Sequence, residues 1–194
     1  MADTPRIGVI GLPGKWSSET LADAVQARTG EHLLFDMADV RLDLADNSLW
    51  HGDHNLCELD ALIVKKISAE YSPQTLDRLE LLRTAESAGV RVFSPALSIL
   101  RLIDRLSCTV TLRNAGIPMP ETRVTENAGD AAAAVRDFGE AVFKPLYSTK
   151  ARGMCVLGAD LPEAELQARI DEFRSNNPVM YIQRKLDLPG HDLG

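Results

Sequence analysis

The sequence predicts an α/β protein: a small, open, mostly parallel α/β sheet in residues 1–94, followed by a small α+β lobe. Three short apolar runs support the first part, because each ends at a glycine or a polar residue as buried parallel strands do. They are residues 6–11, 61–64 and 90–93. Helical stretches separate these runs, and this alternation is typical of an open α/β sheet. After Ser94 the predicted elements alternate as in an α+β lobe with an antiparallel sheet.

Capping and turn residues delimit the elements of the first part. Ser17 or Ser18 is expected to cap a first helix, which Gly30 ends. Turn residues at 46–48 separate two alternating stretches and predict a hairpin. Ser72-Pro73 provides a cap and a first helical residue for the next helix.

One long helix and two shorter ones are expected in the second part, together with four strands. The predicted helices cover residues 95–114, 130–138 and 161–174, and the predicted strands cover residues 120–125, 141–146, 154–157 and 179–183.

Composition restricts the class of partner. The net charge is −7 and the pI about 5.1, which argues against nucleic acid but not against a nucleotide bound by local charge and backbone N–H groups. Cys57, Cys108 and Cys155 form no CxxC pair and are expected to be buried, small apolar residues in a reducing compartment. With no signal peptide or long apolar span in the sequence, the expectation is a cytoplasmic protein without a membrane partner.

Three groups of segments, in this order, resemble the ATP-grasp superfamily. They are residues 102–106 with LRNAGIPMPET at 112–122, residues 142–146 with Ser148 and Gly153, and residues 181–186 with 190–193. They are similar to the family's opening helix, its lysine strand with the phosphate-covering loop, and its hinge. The match is to the branch of glutathione synthetase and RimK-type ligases, and residues 7–14 extend it to ATP-grasp proteins of the GAK system.

The resemblance implies a division of the chain and a function. Residues 1–94 would be the pre-ATP-grasp domain, 95–186 the N-terminal ATP-grasp lobe, and 187–194 the start of a truncated C-terminal lobe. Such enzymes join a carboxylate to an amine through an acylphosphate made with ATP, so they must position and neutralise the γ-phosphate. The implied ATP-binding residues are Arg105, Lys144, Ser148, Thr149, Lys150, Arg152, Gly153, Gln183, Arg184, Lys185, Leu186 and Asp192.

Two positions depart from the family pattern. Arg105 stands where the family usually has a lysine that reaches the ATP phosphates, and arginine favours bidentate contacts. The phosphate loop at 147–153 retains only Gly153, so Lys150 and Arg152 are expected to compensate with side-chain charge. The alternative interpretations are an exposed helical ion pair and a solvated basic loop.

At the hinge, main-chain groups between Gln183 and Leu186 are expected to read adenine. Val142 and Ile182 would lie on either side of the ring, or else pack in the core. For Lys144 the alternative role is that of a strand lysine whose ammonium extends to solvent.

The glycine-rich turn at residues 11–15 is not a Walker loop, because Val9 and Trp16 occupy positions that need glycine and a hydroxyl residue. A tight βα turn is favoured over a substrate loop for this segment. The candidate substrate residues are Gly14, Lys15, Lys65 and Lys66. The three lysines are expected to converge beyond the carboxyl ends of strands on an anionic amino acid or peptide, with solvated surface lysines as the alternative.

His51 and His54 flank Asp53, and this spacing allows a metal site but favours a polar hairpin tip; His32 has no evident partner in the sequence. Mg²⁺ is expected as a second cofactor, but the family's acidic and asparagine ligands for it follow the hinge and are expected beyond residue 194. As a fragment, the chain is expected to bind ATP weakly and to ligate nothing. The other interpretation is a non-catalytic nucleotide-binding or interaction module, and a homo-oligomer is included among the expected partners.

Overall fold

The computed structural model describes residues 4–148, 151–187 and 190. The chain divides into two compact units, Met1–Ile103 and Asp104–Gly194. The sequence-based division at residue 94 groups the helix Ala96–Ile103 with the second part, whereas the contacts place it in the first unit. Among the described residues, no helix is long and apolar enough to cross a membrane.

The first unit is built on a parallel sheet. Its elements in chain order are β1 (Ile7–Ile10), α1 (Trp16–Thr29), β2 (Leu34–Phe35), β3 (Arg41–Asp43), β4 (Ser48–His51), β5 (His54–Asn55), β6 (Ala61–Val64), α2 (Pro73–Ser87), β7 (Arg91–Phe93) and α3 (Ala96–Ile103). The order in the main sheet is β2-β1-β6-β7, with every pair parallel. The predicted open parallel sheet is confirmed. A Cβ on Gly8 would lie 2.6 Å from the Phe35 ring, so β1 needs glycine where that ring crosses it.

The predicted hairpin is also confirmed, and it continues into a third short strand. β3, β4 and β5 form an antiparallel sheet in which Leu42 pairs with Leu49 and His51 with His54. The Asp46 carboxylate accepts the Ser48 N–H at 3.1 Å and fixes the turn.

One helix start differs from its prediction. Neither Ser17 nor Ser18 caps α1, because the helix begins at Trp16 with Lys15 at the cap position. Ser18 is buried, and its Oγ instead accepts the Leu12 N–H at 3.0 Å, which ties the helix to the preceding turn. Gly30 ends the helix in the left-handed conformation, as predicted.

The second unit is an antiparallel sheet covered on one face by helices. Its elements are α4 (Arg105–Asn114), β8 (Thr122–Thr125), α5 (Ala128–Phe138), β9 (Glu140–Lys144), β10 (Cys155–Gly158), α6 (Glu163–Asn176) and β11 (Met180–Arg184). The strand order is β10-β9-β11-β8. Phe143, Met180 and Ile182 are fully buried in one core cluster with side chains of α5 and α6.

The predicted single helix over residues 95–114 is wrong. It is two helices, α3 and α4, interrupted at Asp104. Asp104 has extended backbone, and its carboxylate accepts the Leu106 N–H at 3.0 Å as the cap of α4. Aspartate favours this position over a helix interior, because its side chain replaces the missing backbone acceptor.

The three cysteines are free, as expected, but half-buried rather than buried. Burial is nevertheless sufficient to raise the pKa of the Cys57 and Cys155 thiols above the ordinary value.

Candidate nucleotide-binding face

The second unit has a polar sheet face opposite its helix-covered core. Even-numbered residues of β11 point into the core, so Tyr181 and Gln183 lie on the other face. Their cross-strand partners on β9 are Lys144 and Val142 respectively, and these four side chains therefore share one surface. Lys144 and Gln183 are both half-buried.

Lys144 is held by a neutral side chain. Its ammonium donates to Gln183 Oε1 at 2.6 Å, and Gln183 Nε2 in turn donates to Thr122 Oγ1 at 2.9 Å. Tyr181 extends this network, because its hydroxyl lies 2.9 Å from Thr109 Oγ1 on α4. The sequence interpretation missed Tyr181, Thr109 and Thr122, although the alternation along β11 placed Tyr181 beside Gln183.

Arg105 lies next to this network at the start of α4. Its Nε donates to the Pro145 carbonyl at 2.9 Å and its Nη2 to Ser148 Oγ at 3.2 Å. The guanidinium carbon is 5.9 Å from the centre of the Tyr181 ring. The planar guanidinium therefore contacts the segment that follows β9 at two acceptors, through two different nitrogens.

The two cations have no carboxylate partner among the described residues. Burial lowers the pKa of the Lys144 ammonium below its ordinary value of 10.5, and the charge of Arg105 adds to the lowering. Two neighbouring positive charges on neutral acceptors are an arrangement that an anion would stabilise. The donor set thus fits the phosphates of a nucleotide.

The loop after β9 is described only in part, since Thr149 and Lys150 lie outside the described residues. Gly153 has a φ of +70°, and a Cβ there would lie 3.2 Å from Pro145 Cγ. The one glycine that the loop retains is therefore required by its conformation. Arg152 is exposed.

The hinge segment has fewer free main-chain groups than the sequence interpretation assumed. The N–H of Arg184 donates to the Glu121 carbonyl at 2.8 Å, and that of Lys185 to the Glu140 carbonyl at 2.9 Å. Their side chains pair with the same two residues, and the Lys185 ammonium lies 2.7 Å from the Glu140 carboxylate. That hydrogen bond raises the pKa of Lys185. The next N–H along the segment belongs to Leu186, whose side chain is exposed. Asp192 lies outside the described residues.

Of the two residues proposed to flank adenine, only one lies on the polar face. Ile182 is fully buried in the core beside α5 and α6, so its assignment to the adenine site is wrong. Val142 pairs with Gln183 and is half-buried, and its neighbour Val156 on β10 is 47% exposed on the same face.

In the first unit, the backbone of Lys65 and Lys66 lies against the end of β1, the strand that precedes the turn with Lys15. The N–H groups of Lys65 and Lys66 donate to the Ile10 carbonyl at 2.9 and 3.1 Å, so the end of β6 lies against the end of β1. Lys15, Lys65 and Lys66 are all exposed.

Two further contacts shape this edge of the parallel sheet. The Gly14 N–H is taken by the Glu19 carboxylate at 2.6 Å, an arrangement that fits the tight-turn interpretation of this segment. Arg78 on α2, which the sequence interpretation missed, donates to Ser68 Oγ at 2.9 Å and to the Ile67 carbonyl at 3.3 Å. It thereby orders the segment after the two lysines.

The histidines lie within polar or aromatic contacts. The rings of His51 and His54 lie 5.2 and 5.7 Å from the Phe35 ring, and the described residues contain no cluster of metal-ligating side chains. His32 does have partners, since its Nε2 is 3.4 Å from Asp23 and 3.7 Å from Glu19.

Similarity to known proteins agrees with this architecture. No family model matches the chain. The chain is 24% identical to the tetrahydromethanopterin:alpha-L-glutamate ligase of Methanosarcina acetivorans, over 97% of this chain and 63% of that protein. The corresponding ligase of Methanocaldococcus jannaschii is 29% identical over 48% of this chain and 32% of its own.

Solved structures give the same fold. A RimK domain ATP-grasp protein from Sphaerobacter thermophilus superposes with a TM-score of 0.72 at 22% identity, covering 95% of this chain and 65% of its own. The ATP-grasp ligase PsnB, in complex with a precursor variant, Mg and ADP, superposes with a TM-score of 0.65 at 18% identity, covering 95% and 66%. The chain thus spans slightly less than two thirds of these proteins. The chain therefore has the fold of these ATP-grasp proteins, and its sequence is similar to that of ligases.

Proposed function

We propose that this chain provides the substrate unit and the ATP-covering lobe of an ATP-dependent ligase that joins a carboxylate to an amine. ATP-grasp ligases form C–N bonds at the expense of ATP, and the relatives reported above are ligases. The single observation that carries the proposal is the pair Lys144 and Arg105, two adjacent cations on neutral acceptors.

The proposed reaction has two steps. A carboxylate oxygen of the first substrate attacks the γ-phosphorus of ATP, which forms an acylphosphate and releases ADP. The amine then attacks the acyl carbon, the phosphate leaves, and the amine loses its proton as the amide forms. Both steps gain from neutralised phosphate charge and from fixed geometry.

The described residues would act on the nucleotide. Lys144 would provide a point charge to the phosphates from a position fixed by Gln183. Arg105 would position the phosphate loop through Ser148, and Gly153 would allow that loop its left-handed turn. The Leu186 N–H and a hinge carbonyl would read adenine, with Val142 against the ring.

Mg²⁺ would screen the phosphates when bound, and we propose that its ligands lie beyond residue 194. The exposed lysines 15, 65 and 66 would attract the carboxylate-bearing amino acid or peptide. Free, half-buried cysteines are consistent with a reducing, cytoplasmic compartment.

The test is ADP release by the natural protein across candidate carboxylates and amines. We expect one combination to raise ADP release above background, with loss of that increase in Lys144→Gln. The 194-residue chain alone is expected to bind ATP weakly and to form no amide. ATP binding by the natural protein without ADP release for any combination would favour the non-catalytic module instead.

A further inference from the structure

The edge strand of the second unit presents unpaired backbone. Arg184 donates to the Glu121 carbonyl, and the same register pairs Arg123 with Ile182 and Thr125 with Met180. In an antiparallel pair only alternate residues exchange hydrogen bonds, so Thr122 and Val124 direct their N–H and C=O groups away from β11. In the described part of the chain no backbone group bonds to these outward groups. An uncovered edge of this kind is a template for another strand.

A groove runs along this edge. It has a volume of about 500 Å³, and side chains of α4 form one wall, with Leu106, Thr109 and Val110 among them. Phe138 at the end of α5 lies on the other side. A second depression of about 370 Å³ continues along Arg123, Val124 and Thr125. A strand opposite β8 needs about four residues, or roughly 13 Å at ~3.3 Å per residue.

The residues that line the groove indicate what kind of segment can bind there. The groove lies between side chains of α4 and Phe138. Val110 is 48% exposed, so part of the lining is an apolar surface open to solvent. Apolar side chains of an incoming strand would cover it.

The charges of the groove favour an acidic occupant. Glu121 is paired with Arg184, and Arg123 with Asp137 at 2.6 Å. Arg113 also lines the groove and has no ion-pair partner among the described residues. The uncompensated charge of the groove is therefore positive, although the whole chain carries −7.

We propose that this groove binds an extended, acidic peptide segment that adds a strand to β8. The peptide's backbone pairs with Thr122 and Val124, its apolar side chains cover Val110, and a carboxylate pairs with Arg113. Binding at this edge requires neither nucleotide nor ligase activity, so it can be tested apart from the ligase function.

The experiment uses the 194-residue chain, ¹⁵N-labelled, and a capped six-residue peptide of alternating valine and glutamate. Titration is expected to shift the amide signals of Thr122, Val124 and Arg113 without ATP. N-methylation of two successive central amides of the peptide blocks pairing in either register, and we expect about tenfold or greater weakening from the lost hydrogen bonds.

Arg113→Gln is expected to weaken the glutamate peptide about two- to fivefold and to leave the matching valine–glutamine peptide unchanged. Arg41→Gln, at an exposed arginine of the first unit, is the matched control and should change neither affinity. The proposal is overturned if β8 signals do not move, or if the N-methylated peptide binds equally well. It is also overturned if the same signals shift with protein concentration alone, which would identify a second copy as the occupant.

Discussion

Replacing Lys144 with glutamine removes one of the two adjacent cations while keeping a polar side chain opposite Gln183. The ammonium is half-buried, contacts no carboxylate among the described residues, and lies near Arg105, so an anion here meets little competition. A hydrogen bond to a charged group contributes about 1.5–3 kcal/mol. The expected loss of ATP affinity is therefore roughly 10- to 150-fold.

Lys185→Gln is the matched control for this substitution. Lys185 belongs to the hinge, but its ammonium is exposed and paired with Glu140, so any contact with adenine would come from its backbone. Because this pair is exposed to solvent, its loss should change ATP affinity less than about fivefold.

ATP titrations followed by amide NMR would measure both affinities even when they are weak, and circular dichroism would check that each variant is folded. If the Lys144→Gln variant binds ATP with an affinity within threefold of that of the parent protein, the assignment of Lys144 to the nucleotide site is refuted. Equal losses in the two variants would show that the effect of Lys144→Gln is not specific to the position of Lys144.

Three further predictions concern the same surfaces. ATP affinity should fall as pH rises toward 10.5. Bound phosphates raise the lowered pKa of Lys144, so ATP binding takes up a proton in that pH window. Calorimetry in buffers of different ionisation enthalpy measures this proton uptake, and Lys144→Gln should abolish it. Arg105→Lys should weaken ATP binding about tenfold or less and increase amide exchange at Ser148, since lysine lacks the planar fork whose Nε and Nη2 donate to Pro145 and Ser148; unchanged exchange would contradict this. Reversing the charge of Lys65 and Lys66 should raise the KM for the carboxylate substrate of the natural protein, with the KM for ATP unchanged; an unaltered substrate KM would mark them as surface lysines.

The periodicity of apolar residues and the positions of turn and capping residues were sufficient to predict the main elements of the fold. The buried runs of β1 and β6 and the turn chemistry before β4 are local signals, and the structure contains each element. The long helix through Asp104 was missed because its apolar spacing continues across the break, while the capping preference of aspartate acts at one residue. Spacing and capping compete there, and the cap prevails.

Less of the site could be predicted from the sequence, because its side-chain contacts depend on the cross-strand register. The alternation of β11 was visible, but nothing local indicates that Tyr181 lies opposite Lys144 or that Thr122 accepts from Gln183. Ile182 illustrates the same limit: as an apolar strand residue it suits either an adenine site or the core. The helices α5 and α6, which cover its face, decide between them.

One contact links the two departures from the family pattern. A glycine-rich phosphate loop can approach an anion through its backbone, but a loop left with Gly153 alone has less conformational freedom. Arg105 bonds the Pro145 carbonyl and Ser148 Oγ at once, so it fixes the start of this loop with a side chain. A lysine at the same position would lack the rigid, planar pair of donors that makes these two contacts. One side chain thus holds the Pro145 carbonyl and Ser148 Oγ in a segment whose only glycine between residues 147 and 153 is Gly153.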